Sequence, residues 1–408
     1  MKLISTIILF SALQLTSFLQ ADWQPQTSGV TDNLFAIHFV NESTGWACGS
    51  NGRILFTSNG GTLWAQQVSN TSSPLFSIDF PSVQTGYMAG GSSTIVKTTN
   101  SGASWQAGSV NGITTLHAVC FADNNTGYVC GSEGKIGKTT NGGSTWSVNT
   151  VASYDLISMQ CFDANNVVAA GISGVVYKTT NGGTNWTLQV SGTNNYISSI
   201  VFSDNNNGYL TSLGLTEEVR RTSNGGTSWN PVTSPGNTSG LNGLSVVNAS
   251  TVYGVGPEGT VRRTTNSGTS WETQPSGDTI SFLRSVFMVN ASVGYIAGDN
   301  GRILKTNNGG IGIQQISSNV PVDFRLMQNY PNPFNPVTNI TFSIPAAEFV
   351  TLKIFDAAGS ETAVLFSGRL SAGTYKYDFN ASHLASGLYF YRLESNDFSQ
   401  TKKMILVK

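Results

Sequence analysis

Six cations recur at one position of a repeating phrase: Lys97, Lys138, Lys178, Arg221, Arg263 and Lys305, each directly before a threonine, with Phe56 at the same place in one further copy. A ring of one charge sign focuses anionic ligands, so these residues are candidates for ligand binding. The structural alternative is that each cation caps nearby backbone carbonyls. Three carboxylates, Glu133, Glu258 and Asp299, stand in matching turns beside Gly134, Gly259 and Gly301. Glycoside hydrolysis needs two carboxyl groups about 5–10 Å apart, one as acid and one as base or nucleophile. Matching turns of different repeats would lie around a rim, where two carboxylates can converge; polar turn chemistry accounts for the same residues without catalysis. Cys48, Cys120, Cys130 and Cys161 show none of the CxxC or Cys/His spacing of a zinc site, so neither metal nor cofactor is expected. Cys48 and Cys130 share a column with Ala89, Ala170, Thr211, Val255 and Ala297, which reads as core. Cys120 and Cys161 are placed in a second column with His38, Asp79, Val201 and Phe287. Disulfides Cys120–Cys130 across a hairpin and Cys120–Cys161 between repeats are both compatible with this placement. His38 and His117 stand in strand columns otherwise apolar or small. With His383 they complete the histidines, and no nucleophile elbow supports a Ser-His-Asp triad.

The elements that must position these groups are set by a tryptophan ruler. Trp64, Trp105, Trp146, Trp186, Trp229 and Trp271 follow one another at 41, 41, 40, 43 and 42 residues. Each closes a phrase Thr-x-Asn-x-Gly-x-x-Trp, with Ser or Thr before the Trp in four of the six, as in Thr98–Trp105 and Thr139–Trp146. An Asn side chain bonding backbone two residues on makes a turn, and Gly supplies positive φ, so the phrase predicts a hairpin whose Trp anchors the outer strand. Upstream stand a Gly-Tyr phrase (Gly86-Tyr87, Gly127-Tyr128, Gly294-Tyr295) and an alternating strand such as Phe76–Phe80. Four short strands in about 40 residues make one blade of a β-propeller. The seventh copy, Gly294–Gly310, lacks its Trp, and Trp23 stands 41 residues before Trp64. The N-terminal segment is therefore expected to supply the last strand of blade seven, closing the ring and removing its open edge.

Composition agrees with an all-β reading. Of 408 residues only 11% are charged, against roughly a quarter in an average domain, and 45 are glycine. Net charge is −1, which excludes the basic footprint of a nucleic-acid binder. Met1–Ala21, with Lys2, an apolar run and a small residue at the end, is expected to be a cleaved signal peptide. The mature chain is expected to lack a transmembrane segment.

After residue 310 the rhythm stops. Residues 22–312 are assigned to the propeller, 313–323 to a linker and 324–408 to a small immunoglobulin-like β-sandwich with strands near Thr338–Ile344, Val350–Phe355, Gly373–Phe379, Gly387–Leu393 and Lys402–Val407. The repeats resemble the BNR (Asp-box) phrase, with Asn in the Asp position, and the whole blade is similar to the photosystem II stability/assembly factor-like propellers. The resemblance covers Trp23–Gly310 and implies a fold, not a role. Sialidases also use Asp-box propellers, but with six blades and an arginine cluster. Here Arg53, Arg220, Arg221, Arg262, Arg263, Arg284 and Arg302 stand mostly in repeat positions, and no Arg-Ile-Pro phrase precedes the first blade. The tail, with Asn329-Tyr330-Pro331-Asn332-Pro333-Phe334-Asn335-Pro336, Leu352-Lys353-Ile354-Phe355-Asp356, Leu384-Ala385-Ser386-Gly387-Leu388-Tyr389 and Lys402-Lys403 before an apolar end, resembles the type A C-terminal sorting domain of the type IX secretion system. That resemblance implies passage through the periplasm and across the outer membrane, contact with the secretion machinery, removal of the tail and often attachment to surface lipopolysaccharide. Together these readings favour a secreted or cell-surface, non-catalytic binding or scaffold protein whose ligand is a protein or a glycan. The alternative is a secreted glycan-acting hydrolase.

Overall fold

The computed structural model describes residues 23–214, 218–233, 240–310, 313–381 and 384–408; the expected signal peptide and His383 lie outside them. The described residues form two units, 23–310 and 313–408. They are all-β, with a few single-turn 3₁₀ segments.

The first unit contains seven four-stranded antiparallel sheets. Blade one is Leu34–Phe39, Gly45–Gly49, Ile54–Thr57 and Ala65–Gln67, paired in chain order. The first strands of successive blades pack on one another around the ring, and that of blade seven, Leu283–Met288, packs on that of blade one. The first strands thus line the centre. Gln24–Gln26 pairs with Ile303–Thr306 of blade seven, Gln24 opposite Lys305. The N-terminal strand closes the ring, as the Trp23 spacing predicts.

The hairpin phrase works through its threonine. Thr57, Thr98, Thr139, Thr179, Thr222, Thr264 and Thr306 are all buried. The Thr139 hydroxyl donates to Asn141 Oδ1 at 3.0 Å and accepts from Asn141 N at 3.3 Å and Gly143 N at 2.9 Å. Asn141 Oδ1 also accepts from Thr145 N, four residues on, at 2.9 Å. The same bonds recur in the other complete copies. The expected two-residue Asn turn is therefore corrected: the two-residue bond belongs to the Thr hydroxyl, and Asn reaches forward to cap the return strand. The glycine bonded to Thr has φ between 63° and 84°, a conformation costly to a Cβ-bearing residue.

The Gly-Tyr phrase has a steric cause. Phe39, Phe80, Phe121 and Phe202 lie flat over Gly45, Gly86, Gly127 and Gly208, where a Cβ would fall 2.3–2.6 Å from the ring. Blade four has Cys161 for the Phe, and its partner is Val167. Blade six has Val246, and its partner is Val252. In these two blades the ring is lost and the glycine is filled, whereas blade seven keeps Gly294 under Met288, whose sulfur a Cβ there would also strike.

This register corrects the column assigned to Cys161. Cys120 pairs with Tyr128, the residue after the glycine, whereas Cys161 pairs with Val167, at the glycine position. Blade four is one residue short of 41, so Cys161 falls in the Phe column and Gln160 in that of Cys120. Adjacent strand residues face opposite sides. Phe39, Phe80 and Phe121 face backward, stacked on Tyr295, Trp46 and Tyr87 of the preceding blade. Asp79 and Gln160 face forward, accepting from Phe121 N at 2.6 Å and Phe202 N at 2.7 Å in the following blade. Cys120 thus faces forward and Cys161 backward, and they form a disulfide. Two cysteines in one column would have faced the same way. Cys48 and Cys130 are free and fully buried, and burial pushes both thiols up.

The forward-facing acceptors satisfy inner-strand N–H groups that no further strand can pair. Asp79 does this with a carboxylate that burial pushes up to about 6, against the pull of the Phe121 and Phe80 N–H groups. Its folded value lies above 3.8, so the native chain holds a proton between about pH 4 and 6 that the unfolded chain has lost. Asp79 therefore favours the fold most below pH 4, and this is lost as pH rises through 6. His38, pushed down to about 4 by burial, works oppositely, costing stability as pH falls from 6.5 through 4. Asp79→Asn keeps an acceptor for Phe121 N. It should raise stability at pH 7.5 by up to about 3 kcal/mol and do nothing at pH 4; thermal melts at both pH values check this.

In the second unit, Gln314–Ser317, Gly373–Asn380, Val337–Ile344 and Arg325–Leu326 form one sheet, and Glu361–Leu370, Glu348–Phe355, Gly387–Glu394 and Ser399–Leu406 the other. Phe342, Tyr375, Ile354, Tyr391 and Met404 fill the core. All five expected strands are present within a few residues. Glu361–Leu370 is additional, and so is Gln314–Ser317, a sheet edge formed by residues assigned to the linker.

Candidate functional site

Each blade turns between strands one and two, and three and four, on one face of the ring; the turns between strands two and three, and the connections to the next blade, lie on the other. The six cations stand on third strands beside the hairpins, on the first face. Lys97, Lys138, Lys178 and Lys305 donate to the carbonyls of Gly142, Gly182, Gly225 and Gly60, in the next blade's hairpin, at 2.6–2.8 Å. Lys97, Lys138 and Lys305 also lie 5.4–5.6 Å from the ring centres of Tyr87, Tyr128 and Tyr295. Those tyrosines donate to carbonyls of the same next blade. Arg221 instead donates to Asn207 Oδ1, and Arg263 lies over Tyr253. Burial lowers Lys178 and Lys305 from the usual lysine value. In this geometry the lysines clip one blade to the next. Lys138→Met should cost about 1.5–3 kcal/mol, the worth of a hydrogen bond to a charged group, measured as a lowered denaturation midpoint.

The carboxylates lie on the second face. Glu133 is exposed and 2.6 Å from Lys135. Glu258 is exposed in the corresponding turn. Both have φ between 54° and 59°, and in the corresponding turn of blade seven the residue in that conformation is Asn300, not Asp299. Asp299 stands one place earlier and holds Arg284 through both oxygens, Nη2 to Oδ2 at 3.0 Å. The three carboxylates thus do not occupy one equivalent position, and two of them are already paired with cations. Among the described residues no cluster of His, Cys, Asp and Glu could hold a metal ion.

The same face carries a second arrangement at the central opening. In five of the seven blades the residue after the buried leucine at the start of the first strand is Phe35, Phe76, His117, Ile157 or Arg284, each half-buried; blades five and six have Ser198 and Asn242 there. Phe35 and Phe76 are 5.3 Å apart and Phe76 and His117 6.2 Å, centre to centre. The Arg284 guanidinium lies 5.1 Å from Phe35 and 4.7 Å from Phe282, which is 36% exposed. Asp155 stands 3.6 Å from His117 Nε2. Burial lowers the His117 pKa, with Asp155 opposing. Blades seven, one, two and three so build a half-ring of flat rings with one guanidinium, backed by Asp299 and Asp155. A flat aromatic surface beside a fixed cation suits groups that combine a flat or apolar part with negative charge. Sequence reasoning missed this site because it sought residues that repeat; the signal was the one column after the leucine where the blades differ.

Comparison with known proteins agrees with this architecture. The family described as Photosynthesis system II assembly factor YCF48 matches residues 15–112 and 105–190, and the Secretion system C-terminal sorting domain family matches 328–408. A solved structure described as YCF48 bound to D1 peptide is 18% identical, with a TM-score of 0.60 over 70% of this chain and 96% of its own. YCF48 from Cyanidioschyzon merolae is 20% identical, with a TM-score of 0.60 over 70% and 98%. The WD40 propeller domain of Doa1 is 10% identical, with a TM-score of 0.56 over 69% and 96%. No curated protein matches the chain. The blade-by-blade hydrogen bonding and these matches converge on the fold: the chain joins a seven-bladed β-propeller, matched by the YCF48 family over residues 15–190, to a C-terminal unit matched by the secretion-system sorting-domain family over residues 328–408.

Proposed function

We propose that the chain passes through the periplasm, is exported by a type IX secretion system to the cell surface or beyond, and there acts as a non-catalytic binding or scaffold propeller. Its ligand is a protein segment or a glycan, engaged at the central opening by Phe35, Phe76, His117, Phe282 and Arg284. The observation that carries this reading is the half-ring itself: aromatic faces and a guanidinium held in place by Asp299. The related propeller solved with a bound D1 peptide supports a peptide as the first ligand class to test. Tail removal and attachment to lipopolysaccharide would follow export.

The test is a peptide-library and glycan-array screen with the full chain. Arg284→Ala and Phe76→Ala should weaken any hit at least about tenfold, the worth of 1.4 kcal/mol, while Lys138→Met leaves it unchanged. Weakening by Lys138→Met and not by Arg284→Ala would move the site to the cation ring. The hydrolase alternative rests on exposed Glu133 and Glu258. Sugar release abolished by Glu133→Gln or Glu258→Gln would replace the binding reading.

A further inference from the structure

Asn-Gly occurs ten times in the chain. This dipeptide can modify itself, because glycine has no Cβ to shield its backbone nitrogen from the preceding side-chain amide. Attack needs a nitrogen free to turn toward Cγ and a side chain free to meet it, so every hydrogen bond on either group must first break. The fold restrains nine of the ten pairs. Five sit in the hairpins, at Asn59, Asn141, Asn181, Asn224 and Asn308. There the glycine N–H donates to a carbonyl of its own blade's first turn at 2.6–3.0 Å. Each of these asparagines also has its Oδ1 held by two hydrogen bonds. Gly301 N donates to Asp32 O at 2.8 Å. Asn51 Nδ2 donates to Asp32 Oδ1 at 2.8 Å, and Asn207 accepts from Arg221 Nη2 at 3.1 Å while donating to Asp204 Oδ2 at 3.0 Å. Gly243 is fixed in a strand opposite Val255, and Asn242 Nδ2 is closed off from water.

Asn111 differs. Val110-Asn111-Gly112-Ile113 is a turn in the connection from blade two to blade three, on the second face. It is closed by a long bond, 3.4 Å from Ile113 N to Val110 O, with Gly112 at φ 100°. Asn111 and Gly112 are both exposed. Among the described residues nothing accepts from Gly112 N, and the Asn111 side chain meets only the Ser109 hydroxyl, which donates to Oδ1 at 3.3 Å. That oxygen gains negative charge when the nitrogen attacks Cγ, so the hydroxyl assists the step where the hairpin bonds oppose it.

We infer that Asn111 is a self-modification site of the folded chain, with water as its only co-reactant, and that the fold shields the other nine Asn-Gly pairs. Gly112 N bonds to Asn111 Cγ and gives its proton to the departing amide, which leaves as ammonia; a cyclic succinimide remains. Water then opens the ring at either carbonyl. One side gives aspartate; the other gives isoaspartate, in which the backbone runs through the side chain. Either product adds a negative charge that Asn111 lacks, on the face that bears the half-ring. The hairpin asparagines keep the amides that their turns use.

The experiment incubates the full folded chain in mildly alkaline buffer, digests it and follows each Asn-Gly peptide by mass spectrometry. The Asn111 peptide should gain the mass of an amide turned acid at least about tenfold faster than any of the other nine, a factor that 1.4 kcal/mol of local opening supplies. In the chain first reduced and unfolded in guanidinium, all ten should convert at similar rates. Asn111→Gln should abolish the early mass gain and leave the melting transition unchanged. An Asn111 peptide that stays intact in the folded chain, or a hairpin asparagine that converts as fast, overturns the proposal. A lead for Asn111 that survives unfolding overturns it too, because its cause would then be the local sequence and not the fold.

Discussion

Replacing Cys120 and Cys161 together by alanine is expected to lower the propeller's stability by about 4 kcal/mol. The bridge joins residues 41 apart, with Cα atoms 5.8 Å apart. It closes a loop that holds the outer strands of blade three and the start of blade four. In the chain-entropy account a loop of that length restricts the unfolded chain by this amount. The site adds a reason of its own. The bridge fastens the first strands of two blades, where neighbouring blades otherwise meet through side chains such as Gln160 on Phe202. Guanidinium denaturation with and without reductant checks the value. Thiol titration of the unfolded, unreduced chain should find two free thiols, Cys48 and Cys130. A midpoint indifferent to reductant, with four thiols titrating, would sink the assignment.

The second large effect concerns closure. Trp23→Ala should cost about 3–5 kcal/mol, the range for truncating a large buried aromatic. Trp23 is fully buried, edge-on to Tyr253 of blade six at 6.2 Å, and packed with Met288, Ile296 and Leu304. It anchors a strand of three residues, Gln24–Gln26, that a small loss of packing would release. Releasing it bares the edge of Ile303–Thr306, and a bare edge recruits other chains. The variant should therefore also self-associate in size-exclusion chromatography. Trp186→Ala is the comparison, because Trp186 is half-buried and its blade is continuous in the chain. Equal midpoints for the two variants, with no association, would show that Trp23 does not lock the ring.

The propeller was legible because its determinants are local. A Thr, an Asn and a Gly within five residues make their bonds inside one hairpin, so the phrase carries its structure wherever it recurs. Counting tryptophans then gave the blades, and the lone Trp23 gave the closure. The sorting sandwich was legible for the same reason, through alternation and turn residues; Glu361–Leu370 was not, since apolar residues stand side by side in Ala363–Phe366 and its pairing carries two irregularities.

The sites were legible only in part. The cation ring was seen in sequence, but not that each lysine reaches a carbonyl of the following blade, because that contact spans 45 residues and depends on how blades stack. The partner of Cys120 was left open for a related reason. One missing residue in blade four turns Cys161 from forward to backward, and only the pairing with Val167 reveals it. Phe35, Phe76, His117 and Arg284 belong to four blades and meet where the ring closes. The sequence by itself determined the blade, its number and its closure, because these follow from bonds within a repeat. Tertiary structure alone decided which unlike residues of different repeats face one another, because only closing the ring brings those columns to one opening.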